Sequence, residues 1–408
     1  MRLLVAGRIA GLAAALAGLA AGMAWSVRIG WADYWARQET VEGTEKAIRL
    51  TPDQSVYYAR LAMLAADNAP AKSMDALKRA VALNPADAGS WIELGLRAET
   101  AGDQRTAEQC LLRAEEEDRQ YLPRWTLANY HFRRKDVPRF WAWAKAASTM
   151  AHGDAWPLFR LCGEVAEDGK LIDRLDIRNP DLRASYVSYL LSRSRSELIG
   201  PAARSVLESG RESDVPILLA ACDRLLVAKA TAGALELWNA LAEKRRISLA
   251  PLDPLRGLSL TNGGFSAAPA SLGFDWRLPG TMGVRVAMEE KPAGLRVSFL
   301  GEQPESCEAL TQLLPVLEKT DYEFSFTYRT SGISPGTGLG WRITDAIGSG
   351  TLAELESLSS DEETQRSVHF RTPNGCSLIR LALAYRRVSG TTRIEGSIVL
   401  RNLRADPR

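Results

Sequence analysis

The sequence has little of what catalysis and metal binding usually require. It contains three histidines, His131, His152 and His369, and none has a partner at the spacing of a metal site. It has no Gly-x-Ser-x-Gly nucleophile turn, no phosphate-binding loop and no dinucleotide fingerprint. We therefore predict that the protein is not an enzyme and holds no metal ion or cofactor.

The chain also lacks a strong charge of either sign and is poor in cysteine. With a formal net charge of +2 over 408 residues we expect no strong electrostatic attraction for nucleic acid, so we predict no nucleic-acid partner. Of the five cysteines, Cys110, Cys162 and Cys222 fall in predicted helices, where a small buried thiol is usual. The sequence leaves open whether Cys307 and Cys376 form a disulfide in an oxidising compartment.

One stretch near the N-terminus has no charge at all. After Arg2 and Arg8, residues 9–27 are uncharged, and these 19 residues reach about 28 Å as a helix, enough to cross a bilayer core. The preceding arginines favour a cytoplasmic N-terminus. We predict a single-pass inner-membrane protein with its body in the periplasm.

A cleaved signal peptide is the alternative for residues 1–30. Gly22-Met23-Ala24 has the small-x-small pattern of a cleavage site. In favour of the uncleaved anchor, aromatic residues follow directly, as in an interfacial belt: Trp25, Trp31, Tyr34 and Trp35. Both interpretations place the rest of the chain across the membrane.

A pattern then recurs every 33 to 34 residues. Residues 47–52 return as residues 80–85, an offset of 33, and Tyr57 returns as Trp91 and Trp125, an offset of 34. A fixed period of this size indicates a solenoid of stacked helical hairpins, in which each unit buries its apolar face against its neighbours.

The unit that begins at Trp91 carries the most specific spacing. One predicted helix places large and small residues on one face, and after Gly102-Asp103 a second does the same; the packing residues are Trp91, Leu94, Gly95, Ala98, Ala107, Leu111 and Ala114. This unit resembles the tetratricopeptide repeat, and the resemblance extends over about residues 38–246. It implies an all-helical solenoid whose groove holds a protein partner. In the preceding unit, Leu61 stands at the expected small position.

Two prolines, Pro251 and Pro254, end the helical pattern, so we predict a linker at residues 247–256. Beyond it the apolar residues alternate, as in residues 295–300, 322–328 and 378–385. Seven or eight such strands predict a β-sandwich over residues 257–408.

The sandwich sequence also carries a resemblance. Residues 262–265 (Asn-Gly-Gly-Phe), 274–276 (Phe-Asp-Trp) and 322–324 (Tyr-Glu-Phe), with a last strand at 394–400, resemble the jelly-roll carbohydrate-binding modules over about residues 257–404. The resemblance implies a polysaccharide ligand, held by aromatic faces and nearby polar groups. The candidates are Trp276, Trp341, Tyr385, Asp275 and Arg342. The alternative is that these aromatic residues belong to the core of the sandwich.

Together these patterns predict a multidomain fold: an N-terminal transmembrane helix, a tetratricopeptide-like solenoid and a C-terminal all-β jelly roll. We expect an adaptor in which the solenoid binds a protein and the sandwich a glycan, accessory to cell-envelope or exopolysaccharide assembly. A pure protein–protein scaffold without glycan binding and a polysaccharide-acting hydrolase are the alternatives.

Overall fold

A computed structural model describes residues 2–166, 171–193 and 195–408, with side chains from residue 11 onward. The apolar spacing of residues 156–167 predicts one more helix, and Glu167, its last residue, lies outside the described residues. Contacts divide the chain into two compact units, Met1–Ile177 and Arg178–Arg408. The division therefore falls within the helical region, 70 residues before the predicted linker at residues 247–256.

The first unit is helical throughout its described part. Its helices are α1 (Arg2–Ala36), α2 (Val41–Leu50), α3 (Ser55–Leu64), α4 (Pro70–Leu83), α5 (Ala88–Thr100), α6 (Gln104–Glu117), α7 (Tyr121–Arg133), α8 (Val137–Ser148), α9 (Trp156–Val165) and α10 (Leu171–Leu175). Consecutive helices pair as antiparallel hairpins. Side chains cap the second helix of three hairpins: Thr40 accepts from the Gly43 N–H, Asp103 from Thr106 and Asp136 from Arg139.

The structural period of α3, α5 and α7 is 33 residues, because their buried positions coincide at that offset. Leu61, Leu94 and Leu127 occupy one buried position, and Ala62, Gly95 and Ala128 occupy the next. The predicted equivalence of Tyr57 with Trp91 and Trp125 is thus shifted by one residue per repeat, since the residues equivalent to Trp91 and Trp125 in α3 are Tyr58 and Ala59. Ala62, and not Leu61, is the small residue at the helix contact, so this unit follows the repeat more closely than the sequence reading suggested.

Gly95 lies where α5 touches α6, and the contact leaves no room for a side chain. A Cβ atom there would lie 2.9 Å from the Leu111 side chain and 3.1 Å from the Ala107 carbonyl oxygen. We expect Gly95→Leu to lower the free energy of unfolding by about 1–3 kcal/mol through overpacking. Gly163→Ala in α9, where the Cβ would meet nothing within 4 Å, is the control and should be neutral or stabilising. Equal melting temperatures of wild type and Gly95→Leu would contradict this helix contact.

Trp91 contributes less to packing than the sequence suggests. Its ring is only half-buried, and the indole N–H donates to the Pro85 carbonyl at 2.8 Å. The other predicted packing residues, Leu94, Ala98, Ala107, Leu111 and Ala114, are buried between α5, α6 and their neighbours. Truncating Trp91 should therefore cost less than the ~3–5 kcal/mol typical of a core tryptophan.

The second unit combines two further hairpins with a β-sandwich. Its helices are α11 (Pro180–Leu191), α12 (Ser196–Leu207), α13 (Val215–Val227) and α14 (Thr231–Glu243). Its strands are β1 (Val284–Glu290), β2 (Ala293–Leu300), β3 (Ser306–Pro315), β4 (Asp321–Ser331), β5 (Leu339–Asp345), β6 (Thr351–Leu355), β7 (Thr364–Arg371), β8 (Leu378–Arg386) and β9 (Glu395–Pro407).

The strands form two antiparallel sheets that face each other across one apolar core. The five-stranded sheet has the order β1-β2-β9-β4-β7, and the four-stranded sheet has the order β3-β8-β5-β6. Alternate residues of both sheets point inward, including Phe324, Phe326 and Trp341. The predicted all-β sandwich is confirmed, with the strands β1, β3, β5 and β6 in addition to those read from alternation.

The sandwich also packs directly on α13 and α14. The Trp238 ring of α14 meets Phe274 edge-on, with ring centroids 5.9 Å apart. Asp223 of α13 accepts from the Gly273 N–H at 2.6 Å and from the Arg277 guanidinium at 2.7 Å. Gly273 has a φ of +60°, and a Cβ atom there would lie 2.6 Å from Trp238. The last hairpin and the sandwich therefore share a tightly fitted interface.

Candidate functional site

The aromatic residues predicted to stack on sugar lie inside the sandwich. Trp276, Trp341 and Tyr385 are 0%, 1% and 0% exposed. Trp341 contacts Phe324 and Trp276, with ring centroids 5.1 and 6.2 Å apart. A ring with no exposed face cannot stack on a pyranose, so the predicted aromatic platform is wrong for these three residues. The rest of the sandwich offers no substitute, because each aromatic side chain in residues 284–408 is buried.

Asp275 is buried too, and its hydrogen bonds explain why. Its carboxylate accepts from the Ala270 N–H at 2.6 Å and from the Trp276 N–H at 2.8 Å, with Asn262 at 3.4 Å. Burial raises the pKa of Asp275, while these donors act in the opposite direction. Asp275 thus orders the loop before the first strand and has no free lone pairs at the surface for a sugar hydroxyl.

Arg342 is the one predicted sugar contact that reaches the surface. It lies on the outer face of the four-stranded sheet and donates to Glu354 at 2.7 Å. Beside it is a cavity of about 230 Å³ whose lining includes Gly340, Glu356 and Arg386. The charged side chains around Gly340 in this cavity can form hydrogen bonds with the hydroxyl or carboxylate groups of a sugar.

Cys307 and Cys376 do not meet. Cys307 pairs with Tyr385 at one end of the β3–β8 ladder, whereas Leu378, two residues after Cys376, pairs with Pro315 at the other end. Eight residues of strand separate these ends by about 26 Å, far beyond the roughly 7 Å limit between bridged Cα atoms. Both thiols are free, and burial raises the pKa of Cys376 to about 12.

An uncovered apolar surface, not predicted from the sequence, lies on the first unit. It occupies one face of α3, α5 and α7 in three columns of residues 33 apart. The columns are Val56, Gly89 and Leu122; Ala59, Ile92 and Trp125; and Met63, Leu96 and Asn129. We call these nine residues the apolar face. The correct 33-residue register would have revealed it, because only that offset aligns the columns.

The rim of the apolar face is strongly exposed. Val56, Met63 and Leu122 are 63%, 68% and 57% exposed, while Ile92 at the centre is buried. Large aliphatic side chains usually lose most of their exposure on folding, which is worth about 1.5–3 kcal/mol each. Exposed aliphatic side chains that recur on the same face of successive repeats are characteristic of an interaction surface.

Helix α1 belongs partly to the solenoid. Residues 11–28 are exposed along their whole length, whereas Ala32 and Ala36 are 0% and 1% exposed against the first hairpin. Arg28 donates to the Leu50 carbonyl at the end of α2, and Arg60 donates to the Ala36 carbonyl at 2.7 Å. Ala32 is also the 33-residue equivalent of Ala65 and Ala98, both buried. The apolar helix therefore continues without a break into the first repeat.

The exposed part of α1 has the length and composition of a membrane span. Residues Gly11–Ala36 form a helix whose most apolar window has a mean hydropathy of 1.5. By the same criteria it also fits a signal sequence. The side chains of Ile9 and Ala10, within the predicted span, lie outside the described part of the chain.

The described residues hold no group of three or more His, Cys, Asp or Glu side chains placed to bind a metal ion. His131 lies buried in α7 beside Asp136, and burial lowers the pKa of its imidazole. Its position is that of a repeat-packing residue, since it occupies the buried position of Ala98 one repeat later.

Comparison with known proteins gives matches among solved structures. No family model matches the sequence, and no curated protein matches it. Among solved structures, a CBM4 structure is 12% identical with a TM-score of 0.30, covering 37% of this chain and 100% of that one. The CBM22-1 xylan-binding domain from Paenibacillus barcinonensis Xyn10C is 15% identical with a TM-score of 0.23, covering 32% and 85%.

The helical part has its own similar structure. YrrB, a TPR protein with an unusual peptide-binding site, is 12% identical with a TM-score of 0.26, covering 51% of this chain and 95% of that one. The structure of the chain itself combines a region of helical hairpins with a β-sandwich of two antiparallel sheets.

Proposed function

We propose that the protein is a membrane-anchored adaptor that holds a protein partner on the apolar face, outside the cytoplasm. The observation that carries this proposal is the continuity of α1. Its exposed segment, residues 11–25, carries no charged or hydrogen-bonding aliphatic side chain on any side, and its last two turns are built into the first hairpin. A helix that is apolar all round needs an apolar surrounding, which a bilayer supplies.

The partner contributes apolar side chains. The apolar face has aliphatic residues at its rim and Trp125 half-buried within it, and it carries no charged residue among its nine positions. An amphipathic helix laid across α3, α5 and α7 would present side chains at matching intervals and bury Val56, Met63 and Leu122. The protein acts, in this proposal, by binding and not by catalysis.

Glycan binding by the sandwich is the second candidate function, supported by the polar cavity beside Arg342. Recognition there would use hydrogen bonds and charge, since the aromatic rings are in the core. The cavity lining carries three guanidinium groups, of Arg342, Arg386 and Arg387, against the carboxylates of Glu354 and Glu356, and this balance suits an acidic polysaccharide better than a neutral one. The proposed accessory role in cell-envelope or exopolysaccharide assembly depends on this glycan binding by the sandwich.

Photo-crosslinking from Val56 in native membranes tests whether a protein partner binds the apolar face. We expect a discrete adduct with one partner, and we expect Met63→Asp to abolish it by placing a charge within the apolar contact. Both residues are largely exposed, so stability should change by no more than about 0.5 kcal/mol. Leu112→Asp, an exposed position on α6, is the matched control and should keep the adduct. An adduct that survives Met63→Asp unchanged would rule out the apolar face.

A further inference from the structure

The junction of α1 with the first hairpin fixes how near the solenoid lies to the membrane. Arg28 follows Val27, the last residue of the uncharged run, and hydrogen-bonds to the Leu50 carbonyl at the end of α2. One residue of helix advances about 1.5 Å. The loop after α2, residues 51–54, therefore begins level with the end of the apolar span.

The next repeat places its own loop at the same edge. Since consecutive helices run antiparallel, the chain returns to this side after α4, at residues 84–87. Each loop accepts an equivalent hydrogen bond from an aromatic side chain. The Tyr58 hydroxyl donates to the Pro52 carbonyl at 3.1 Å, and the Trp91 indole N–H donates to the Pro85 carbonyl at 2.8 Å. These pairs are equivalent at the 33-residue period. We call residues 51–54, 58, 84–87 and 91 the loop edge.

The loop edge has the chemistry of a membrane interface. Tyr58 and Trp91 are half-buried rings with one polar group each, the type of residue that concentrates at headgroup level. They continue a set of exposed rings on α1 itself, where Trp25 and Trp31 flank Arg28 and its guanidinium lies 5.5 Å from the Trp25 ring centroid. Aromatic residues with a polar group thus occur both on the anchor helix and on the solenoid.

We propose that the loop edge lies in the lipid headgroup layer, so that the bilayer surface is a second binding partner of the solenoid. The proposal rests on the membrane anchoring of α1. Each headgroup layer is roughly 5–8 Å thick, which accommodates a loop that begins level with Arg28. The opposite ends of the hairpins, nine residues further along α3, lie about 14 Å higher and outside this layer.

This placement also orients the apolar face. Val56 lies in the first turn of α3, next to the loop edge, and Leu122 lies in the first turn of α7, which begins on the same side of the solenoid; Met63 lies near the far end of α3. A partner bound there contacts the solenoid from immediately above the bilayer. The partner class that fits is therefore a protein that is itself membrane-bound or membrane-adjacent, and not one that diffuses freely.

Fluorescence quenching in bilayers tests the proposal. The full chain, with Cys307→Ser to remove its half-exposed thiol, is reconstituted into phosphatidylcholine vesicles with a single dye-labelled cysteine. Asp53→Cys and Ala86→Cys report on the loop edge; Asp67→Cys and Arg105→Cys, both exposed, report on the far ends. Leu19→Cys reports on the span. The quenchers are lipids with a nitroxide on the headgroup or on the acyl chain.

We expect headgroup nitroxide to quench the dyes at residues 53 and 86 several-fold more than those at 67 and 105. Acyl-chain nitroxide should quench strongly only at residue 19. Equal, weak quenching at residues 53, 67, 86 and 105, with strong quenching at residue 19, would overturn the loop-edge proposal and leave the anchor intact. Weak quenching at residue 19 would overturn the membrane anchor itself.

Discussion

Trp341→Ala should strongly lower the free energy of unfolding of the sandwich, both with and without a glycan present. Trp341 fills the space between the two sheets, where it contacts Phe324, Phe326 and Trp276. Removing a fully buried indole costs about 3–5 kcal/mol through lost transfer energy and the cavity left behind. For a folding unit of this size, we expect the melting temperature to fall by roughly 6–20 °C. Thermal unfolding followed by circular dichroism measures this effect.

Arg342→Ala is the matched control for that prediction. Arg342 neighbours Trp341 in the same strand but lies on the outer face, in a half-exposed pair with Glu354. Exposed ion pairs contribute about 0–1 kcal/mol, so this variant should melt close to wild type. If the sandwich binds an acidic polysaccharide, Arg342→Ala should weaken retention in a polysaccharide-containing gel. A Trp341→Ala variant that melts like wild type would contradict the core position of the ring.

Trp238→Ala should have an effect of similar size at the joint between the last hairpin and the sandwich. The Trp238 ring is 1% exposed and packs on Phe274. It also lies against Gly273, where any side chain would collide with the ring. We again expect a loss of about 3–5 kcal/mol. Because Phe274 belongs to the segment leading into the sandwich, the loss should appear in α13, α14 and the sandwich together.

Hydrogen exchange shows whether that loss is shared. In Trp238→Ala, amides of α14 and of the segment around Phe274 should exchange faster in parallel. Val227→Ala, at a position 72% exposed in α13, is the control and should change stability by no more than about 0.5 kcal/mol. Faster exchange confined to α14, with no change around Phe274, would show that the sandwich folds independently of the hairpin.

The order of fold types could be predicted from the sequence because each rests on local periodicity. The change from helical spacing to alternation after Pro254 predicted the change from helices to strands, and α14 ends at Glu243, close to the predicted limit of residue 246. The edge strands β1 and β6 escaped prediction because they are short and largely exposed, and β3 because most of its residues are buried, which weakens alternation. The strand β5 does alternate and could have been predicted.

The sequence itself contains a signal that Trp341 belongs to the core and not to a sugar-binding site. Leu339, Trp341 and Ile343 are in phase along β5, and residues two apart in a strand share a face. Two aliphatic neighbours in phase with the tryptophan indicate a core position. Trp276 gives no such signal, because it lies in a loop whose burial depends on contacts with distant residues. No local pattern could have placed it.

The apolar face and the α13–sandwich joint depend on tertiary structure in different ways. The apolar face needs only the correct repeat register, which a one-residue shift between Tyr57 and Tyr58 concealed. The joint between Asp223 and Arg277 links residues 54 apart, and nothing in either local sequence indicates the other. Long-range ion pairs of this kind become visible only when the chain is folded.

The most direct test of the account is the fate of α1 in the native membrane. After alkaline carbonate extraction, the full-length protein should remain in the membrane pellet with residues 1–24 still attached, as judged by the intact mass. This result follows if the helix is both the membrane anchor and the first helix of the solenoid. A mature protein that begins at Trp25 and is released into the soluble fraction would contradict the anchor, the loop-edge contact and the proposed position of the partner.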